Sequence, residues 1–454
     1  MQKESTNIMA QMPVGRLMIK MGLPIVISMM LQALYNIVDS AFVSNMEGGE
    51  QALNALTLAF PVQMLMVAVG IGTGVGVNVM LARSLGEGNR EKASTVAGNG
   101  MFLGIVITAV FMLFGLFGVN AYISTQTNNA QINEPAVTYL RICCICSVGI
   151  VFFSVFEKLL QAAGLSAHST IAQISGAVTN IILDPIMIYG LLGFPKLGVS
   201  GAALATVIGQ LVSFFLALTF HLKHNKHVDT GLKYIKPNKT IIRLIYRIGL
   251  PAIIAQALMS VMTYGINIIL GSVSAALVTA YGLYYKIQQF ILFAAFGLRD
   301  TITPVVSFSY GMGDKKRISD GIKYGVLYTS AIMLTGTALL EIFAEPLCSA
   351  FGLSGGTCEL CVSATGIISS GFVFAGICLS LQGVFQALDR GVSSLIVSLL
   401  RQLVLILPVA WLLSMLISPN LGNAWIVWLT FPCAEIMTAA VSLILFLKAR
   451  KNIT

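Results

Sequence analysis

Long apolar runs constrain the fold of this chain more than any other feature of its sequence. Twelve of them occur, at residues 17–45, 53–82, 93–118, 136–162, 168–193, 198–222, 241–271, 276–308, 320–345, 358–388, 393–417 and 422–448. A helix of about 20 apolar residues crosses a bilayer, whereas membrane barrels use alternating segments of about 10 residues. Only 10% of the 454 residues are charged, against roughly 25% in soluble domains. The sequence therefore predicts an all-α integral membrane protein with twelve transmembrane helices.

The connections between the apolar runs alternate in charge. Basic residues concentrate in the N-terminal segment, in 83–92, in 223–247, in 315–323 and at 448–451, while the intervening connections are mostly acidic. Because basic loops remain on the cytoplasmic side, this pattern predicts that both termini are cytoplasmic. The net charge of +9 resides in these loops and not in a basic patch with aromatic residues, so nucleic-acid binding is not predicted.

The two halves of the chain repeat each other. GLP at 22–24 recurs at 249–251, SLGEGN at 84–89 as SYGMGD at 309–314, and QA at 161–162 recurs at 386–387. The offsets are 225 to 227 residues (309 − 84 = 225; 249 − 22 = 227). Six crossings return the chain to its starting side, so the repeat is parallel, which is typical of alternating-access transporters. We predict two six-helix lobes, residues 1–222 and 241–454, joined by a cytoplasmic linker at 223–240.

The first half carries ionisable groups inside its apolar runs, where a charge is costly and faces a cavity or a partner. Within 179–190, Asn180 and Asp184 are one helical turn apart, and Pro185 loosens the helix beside the acid. Asp39 and Asp184 come out at similar depth, about 24 to 25 Å along their helices at 1.5 Å per residue. Thr206 reaches the same half of the membrane from the opposite direction. We therefore expect these four polar residues to converge.

Other polar residues extend this group along the first run. Tyr35 lies one turn below Asp39, and Gln32 and Asn36 continue the same polar stripe. Two carboxylates in a low-dielectric site repel each other, so one of them would hold a proton near neutral pH. The same oxygen atoms would suit Na⁺, a hard cation. The pattern predicts a site for H⁺ or Na⁺, with purely structural hydrogen bonding as the alternative.

The second half has apolar residues in place of these acids and carries other charges. Lys286, with Tyr284 and Gln289, would line a central cavity, or alternatively Lys286 would form an intramembrane ion pair with Glu435. The candidate substrate contacts of the first half have helix packing as their alternative role, because residues at helical spacing often serve in packing. They are Gln32, Asn36, Met64 and Phe153.

Several further motifs are interpreted as structural and not as functional sites. Arg299 and Asp300 are expected to pair near the inner end of the eighth run, and Glu157 and Lys158 to lie at the interface with water. Alternating glycines in GIGTGVG (70–76) indicate close helix packing and not phosphate binding, because no strand precedes them.

Cysteine and histidine residues form no complete metal motif. The CxxC at 358–361, together with Cys348, would suit a disulfide or a metal, but no second such motif accompanies it. Histidines at 221, 224 and 227 suit a metal or a solvated helix end. No Walker A, HExxH or GxSxG sequence occurs, so we predict no cofactor and no enzymatic activity.

Six segments resemble the multidrug and toxic compound extrusion (MATE) family of the MOP flippase superfamily. They are GLPIVISMMLQALYNIVDSAFVS (22–44), ARSLGEGN (82–89), QAAG (161–164), NIILDPIMIYG (180–190), GVSGAALATVIGQ (198–210) and YGMGD (310–314). The resemblance implies a cation-coupled antiporter of the plasma membrane that exports organic, often cationic and lipophilic, compounds. Asp39, Asn180, Asp184 and Thr206 match the family's first-lobe cation site. Besides substrate, H⁺ or Na⁺ and membrane lipids, we expect no obligatory partner and a functional monomer.

Two alternatives remain open. A flippase for lipid-linked sugars, from the same superfamily, would need a cavity ringed by Arg and Lys, whereas Lys286 is almost alone here. A membrane enzyme or a sensor is the alternative from another class, and the sequence offers no nucleophile or metal cluster for the former.

Overall fold

The computed structural model of the protein describes residues 7–46, 49–127, 129–350, 355–419 and 421–450. Within these ranges the chain is helical and has no strand. We number the membrane-length helices in chain order: α1 Val14–Ser44, α2 Gly49–Gly86, α3 Arg90–Ser124, α4 Ala130–Ile145 with Val148–Ala162, α5 Ser166–Tyr189, α6 Val199–His224, α7 Lys239–Gly271, α8 Ala275–Gly311, α9 Lys315–Ala350, α10 Gly355–Ser369 with Phe372–Ala387, α11 Gly391–Ser414 and α12 Trp425–Arg450. Short helical segments lie at Ile8–Gln11, Leu191–Gly193 and Leu232–Ile235.

Ten of these helices are long and apolar enough to cross a bilayer alone. The other two, α4 and α10, are pairs of segments bent by 44° and 51°. If each bent pair is one span, the described residues contain twelve spans, as the apolar runs predicted. The fold class is therefore confirmed as an all-α membrane protein.

The helix boundaries repeat as the sequence motifs do. Both ends of α11 lie 225 residues beyond those of α5 (391 − 166 and 414 − 189), and both ends of α12 lie 226 beyond those of α6. The bends of α4 and α10 also fall at corresponding positions. The two halves are thus structural repeats. We call α1–α6 the first half and α7–α12 the second half.

The turns that precede α3 and α9 show what the repeated motif, SLGEGN at 84–89 and SYGMGD at 309–314, does in the structure. Asn89 Oδ1 accepts from the backbone N–H of Lys92 at 2.9 Å. The corresponding carboxylate, Asp314 Oδ1, accepts from the N–H of Arg317 at 3.0 Å. Such side chains cap the free N–H groups of a helix start. The glycine before each cap has a left-handed backbone, with φ of 70° at position 88 and 69° at position 313.

The buried hydrophobic cores differ between the two ends of the molecule. One large core combines both halves, with Leu17 and Leu81 from the first and Ile302 and Val306 from the second. It lies where α1 and α7 begin and where α2 and α8 end, and we call this the joined end. At the opposite far end, one core belongs to the first half and another to the second half.

Glycines allow the backbones to approach at the joined end. A Cβ on Gly76 would lie 2.2 Å from the carbonyl oxygen of Ile245 on α7, and Gly72 faces the same helix. Gly70 and Gly74, on another side of α2, face α4. The prediction that this glycine series serves close packing is confirmed, and it serves two neighbouring helices at once.

Candidate cation-binding site

The C-terminal half of α5 presents a buried acid and a buried amide on one face. Asn180 and Asp184 are 2% and 0% exposed, respectively. Pro185 lies inside the helix, and because it has no N–H, the carbonyl of Ile181 loses its usual helical donor. The helix ends at Tyr189, and the capping residue Gly190 adopts a left-handed conformation with φ of 75°. The proline thus leaves a polar backbone group beside the acid without interrupting the helix.

The amide of Asn180 joins α5 to α6. In one orientation its nitrogen donates to Asp184 Oδ2 at 3.2 Å, and its oxygen accepts from the backbone N–H of Thr206 at 3.0 Å. The opposite orientation gives only long contacts, 3.5 Å to Asp184 Oδ1 and 3.4 Å to Thr206 Oγ1. Because an amide nitrogen cannot accept from an N–H, we assign the first orientation. Three of the four predicted site residues therefore lie together.

Helix α1 packs along α5 through two polar contacts. Gln173 Nε2 donates to Gln32 Oε1 at 2.9 Å. Further along, the hydroxyl of Tyr189 donates to the carbonyl of Phe42 at 2.7 Å, and the two rings meet edge to face with centroids 6.5 Å apart. The residue numbers rise together at both contacts, so the helices run in the same direction.

The backbone positions of Asp39 and Asp184 both fall between these two contacts. Asp39 lies three residues before Phe42 on α1, and Asp184 lies five residues before Tyr189 on α5. The side chain of Asp39 lies outside the described residues, as does that of Asn36.

The other candidate residues lie on helices of both halves. Lys286 is exposed, whereas Tyr284 is fully buried in the second-half core and donates to Gln288 Oε1 at 2.7 Å. The remaining ones, all half-buried, are Gln32, Tyr35, Met64, Phe153 and Gln289.

The ion pairs of the second half differ from those expected. Glu435 on α12 accepts from Arg401 Nε on α11 at 2.6 Å, so its partner is not Lys286. Arg401 lies in a π-helical turn, Leu400–Val404, and such turns often mark functional sites. Spacing along the chain gave no sign of this pairing, because the two residues are 34 positions apart.

The expectation that Glu157 and Lys158 lie at the water interface is wrong. Both are buried, and Lys158 Nζ lies 2.6 Å from Asp300 Oδ2 on α8 of the other half. Arg299 pairs with Asp300 through two hydrogen bonds of 2.9 and 3.0 Å, as predicted. Charged side chains can remain inside an apolar medium when they neutralise one another.

Metal-ligating side chains do not converge in the described ranges, which contain no group of three or more His, Cys, Asp or Glu placed to hold a metal. The cysteines are free thiols. His221 contacts the amide of Asn225 at 3.2 Å, whereas the ring of His224 lies 4.5 Å from that of His168. The histidine series thus faces separate neighbours.

Two stretches of the chain match a known protein family. The model of the MatE family matches residues 24–186 and again residues 251–412. The chain belongs to the MatE family. Its two matched regions fall in the two halves of the repeat, with starts 227 residues apart (251 − 24). As a MatE protein it is a multi-pass membrane transporter of small molecules and not an enzyme.

Relatives with assigned roles match almost the whole of this MatE chain. Multidrug export protein MepA of Staphylococcus aureus (strain MRSA252) is 24% identical over 447 residues, which cover 98% of this chain and 97% of MepA. A solved structure, described as the outward-facing conformation of a multidrug resistance MATE family transporter, is 26% identical with a TM-score of 0.91 and covers 100% of this chain and 99% of that one. A Pyrococcus furiosus MOP superfamily transporter, described as having a binding pocket of reverse polarity that suggests a different function, is 25% identical with a TM-score of 0.89, covering 100% of this chain and 99% of that one.

Proposed function

We propose that the chain is a cation-coupled antiporter, driven by H⁺ or Na⁺, that exports organic and typically cationic, lipophilic compounds by alternating access. The observation that carries this proposal is the buried Asp184, which accepts from Asn180 on a helix that packs along the helix carrying Asp39. Acids inside a membrane mark ion pathways because their burial is costly without a function. The multidrug export role of the MepA relatives supports the substrate class.

The chemistry of the site favours a proton over Na⁺. In the assigned orientation the Asn180 nitrogen, and not its oxygen, faces Asp184. Na⁺ prefers a shell of oxygen ligands, whereas a carboxyl group that gains a proton needs no such shell. With Asp39 and Tyr35 contributed by α1, two acids would share one proton and release it when their surroundings change.

Orientation follows from the charges at the two ends. The joined end carries the basic segments 83–92, 223–247 and 315–323, and basic segments remain cytoplasmic. We therefore place this end, and both chain termini, on the cytoplasmic side of the plasma membrane. With the halves packed there, the substrate site is closed to the cytoplasm and faces outward, in keeping with the similarity to an outward-facing neighbour.

Helix α1 is suited to transmit the effect of the ion. It contacts α5 through Gln32, and at the joined end a Cβ on Gly22 would lie 3.0 Å from Leu298 of the second half. An ion shifts a conformational equilibrium only when it binds the two states with different affinity. A change in how α1 packs on α5 would supply that difference and reach the contact between the halves.

Substrate would bind between the halves, against Gln32, Asn36, Met64 and Phe153 of the first and Lys286 and Gln289 of the second. Tyr284, expected to line the same cavity, is instead buried in the second-half core and does not contact substrate. Half-buried Met and Phe side chains suit varied apolar compounds because they can repack. The lobes of residues 1–222 and 241–454, linked by 223–240, would rock against each other so that the joined end opens as the far end closes, and a single chain would suffice.

The test is ethidium movement in proteoliposomes under an imposed pH gradient or an imposed Na⁺ gradient. We expect one gradient to drive transport in the wild type, and Asp39→Asn and Asp184→Asn to abolish that response while the protein remains folded. Glu341→Gln is the matched control, because Glu341 is an exposed acid on α9 of the second half. It should retain coupling.

Other results would redirect the assignment. Normal gradient-driven efflux by both site variants would remove the acids from the mechanism. Absence of any ethidium movement in the wild type, combined with translocation of a lipid-linked sugar, would favour the flippase alternative.

A further inference from the structure

The joined end contains a buried ion pair that connects the two halves. Lys158 on the second segment of α4 lies 2.6 Å from Asp300 on α8, and their side chains are 3% and 5% exposed. The two residues are 142 positions apart in the sequence and belong to different halves. The contact therefore exists only when the halves are packed together at this end.

Each member of this pair also has a partner in its own half. Lys158 donates to Gln161 Oε1 at 3.0 Å and lies 3.9 Å from Glu157 Oε1. Asp300 accepts from Arg299 at 2.9 and 3.0 Å. Each half thus contributes one basic and one acidic side chain to this cluster.

Small residues make room for the charged side chains. A Cβ on Gly74 of α2 would lie 2.9 Å from Lys158 Cγ. A Cβ on Gly383 of α10 would lie 3.2 Å from Arg299 Cγ. Helices on both sides are therefore shaped around the long stems of the two cations, which fixes where their charged ends meet Asp300.

We propose that the Lys158–Asp300 ion pair holds the joined end closed and that it breaks and re-forms in each transport cycle. Removing one member of a buried ion pair usually leaves an uncompensated charge at high cost. Here separation leaves Lys158 beside Glu157 and Asp300 beside Arg299, so the bond adds stability to the closed arrangement without preventing its opening. This proposal rests on the alternating access proposed above.

The contrast with the other buried ion pair supports this role. Arg401 and Glu435 both belong to the second half. Arg401 bonds to Glu435 Oε1, and Glu435 Oε2 has no hydrogen-bond partner among the described residues. Within that part of the chain, Glu435 thus has no second basic partner of the kind that Asp300 has in Arg299, as expected for a contact that persists through the cycle.

The test is a distance measurement between spin labels at the joined end. Glu91 at the start of α3 and Lys316 at the start of α9 are exposed and occupy corresponding positions in the repeat (316 − 91 = 225). Cysteines placed there in a background lacking native cysteines, in lipid nanodiscs and without substrate or gradient, would report separation of the halves. The variants are Lys158→Met, Asp300→Asn and the two combined.

We expect each single variant to raise the ratio of separated to packed molecules by about tenfold or more. The double variant should add little, because both changes remove the same bond. Arg247→Gln is the control, since it breaks an ion pair of 3.3 Å with Asp389 at the same end but within the second half. It should leave the distances unchanged.

Two results would overturn the proposal. One is that both single variants give the wild-type distance distribution. The other is that their effects add in full, because the two residues would then act separately within their own halves. Since no gradient is applied, failure of cation coupling would leave this measurement unaffected, so the two failures can be distinguished.

Discussion

Arg401 donates to Glu435 at 2.6 Å, one helical turn from the positions that the repeat aligns with Asn180 and Thr206. The second half therefore contains a permanent cation, a guanidinium, close to the place where the first half presents a carboxamide between two helices. Both groups join the fifth and sixth helices of their own half. This relationship explains how the second half keeps an acid buried without an external ion.

Loss of Arg401 should be strongly destabilising. Arg401→Met leaves the Glu435 carboxylate buried and unpaired, which typically costs about 3–5 kcal/mol. Combining it with Glu435→Gln should recover most of the loss, because no charge then remains. Thermal unfolding of the purified variants in detergent measures both effects.

The matched control for this prediction is Arg247→Met. The Arg247 side chain is 62% exposed in its ion pair with Asp389, and exposed pairs contribute about 0–1 kcal/mol. An Arg401 variant as stable as this control would show that the buried pair contributes nothing.

The Asn180 amide should matter more than the Thr206 hydroxyl. In the assigned orientation Asn180 accepts from the backbone N–H of Thr206, which Thr206→Val retains. We expect Thr206→Val to keep transport within about threefold of the wild type, or under 1 kcal/mol by the usual conversion. Asn180→Leu, which removes the hydrogen bond to Asp184, should abolish coupling. Gradient-driven uptake in proteoliposomes distinguishes them, and equal losses in both variants would favour the opposite amide orientation.

The backbone contact at Gly76 should tolerate no side chain. In Gly76→Ala the new Cβ would lie 2.2 Å from the carbonyl oxygen of Ile245, so α2 and α7 must move apart. Overpacking of this kind typically costs about 1–3 kcal/mol. Gly282→Ala is the control, because nothing lies within 4 Å of that position. Equal unfolding temperatures for the two variants would contradict the contact.

Lys286 and Tyr284 should separate a substrate effect from a stability effect. Lys286 is exposed, so Lys286→Ala should leave the unfolding temperature unchanged and favour cationic over anionic substrates. Tyr284→Phe leaves the buried Gln288 oxygen without its donor, which typically costs about 1–3 kcal/mol. Initial transport rates for a cationic and an anionic dye, together with thermal unfolding, test both. An unchanged dye ratio in Lys286→Ala would place that residue outside the cavity.

The repeat made much of the architecture predictable from sequence. Hydropathy placed the spans, and the 225-residue offset of SLGEGN and SYGMGD aligned Asn89 with Asp314, which the structure shows to be helix caps. Helical periodicity likewise placed Asn180 and Asp184 on one face. These features depend on residues close in sequence or on strict repetition, which a single chain displays directly.

The charge pairs across helices were harder to predict. Lys158 reads as an interfacial residue because it lies near a helix end, and its partner is on another helix of the other half. Glu435 has two possible basic partners, and hydropathy does not reveal how a helix is rotated about its axis. The rotation of α11, which includes a π-helical turn, brings Arg401 to Glu435.

The pairing of each basic side chain with an acid of its own half has an electrical consequence. Moving one elementary charge across the membrane is worth about 2.3 kcal/mol per 100 mV. Because Lys158 stays beside Glu157 and Asp300 stays beside Arg299, breaking the Lys158–Asp300 bond moves neither residue through the field without a partner. The membrane voltage would therefore act on the transported ion, the substrate and the acids of the cation site, and not on this bond.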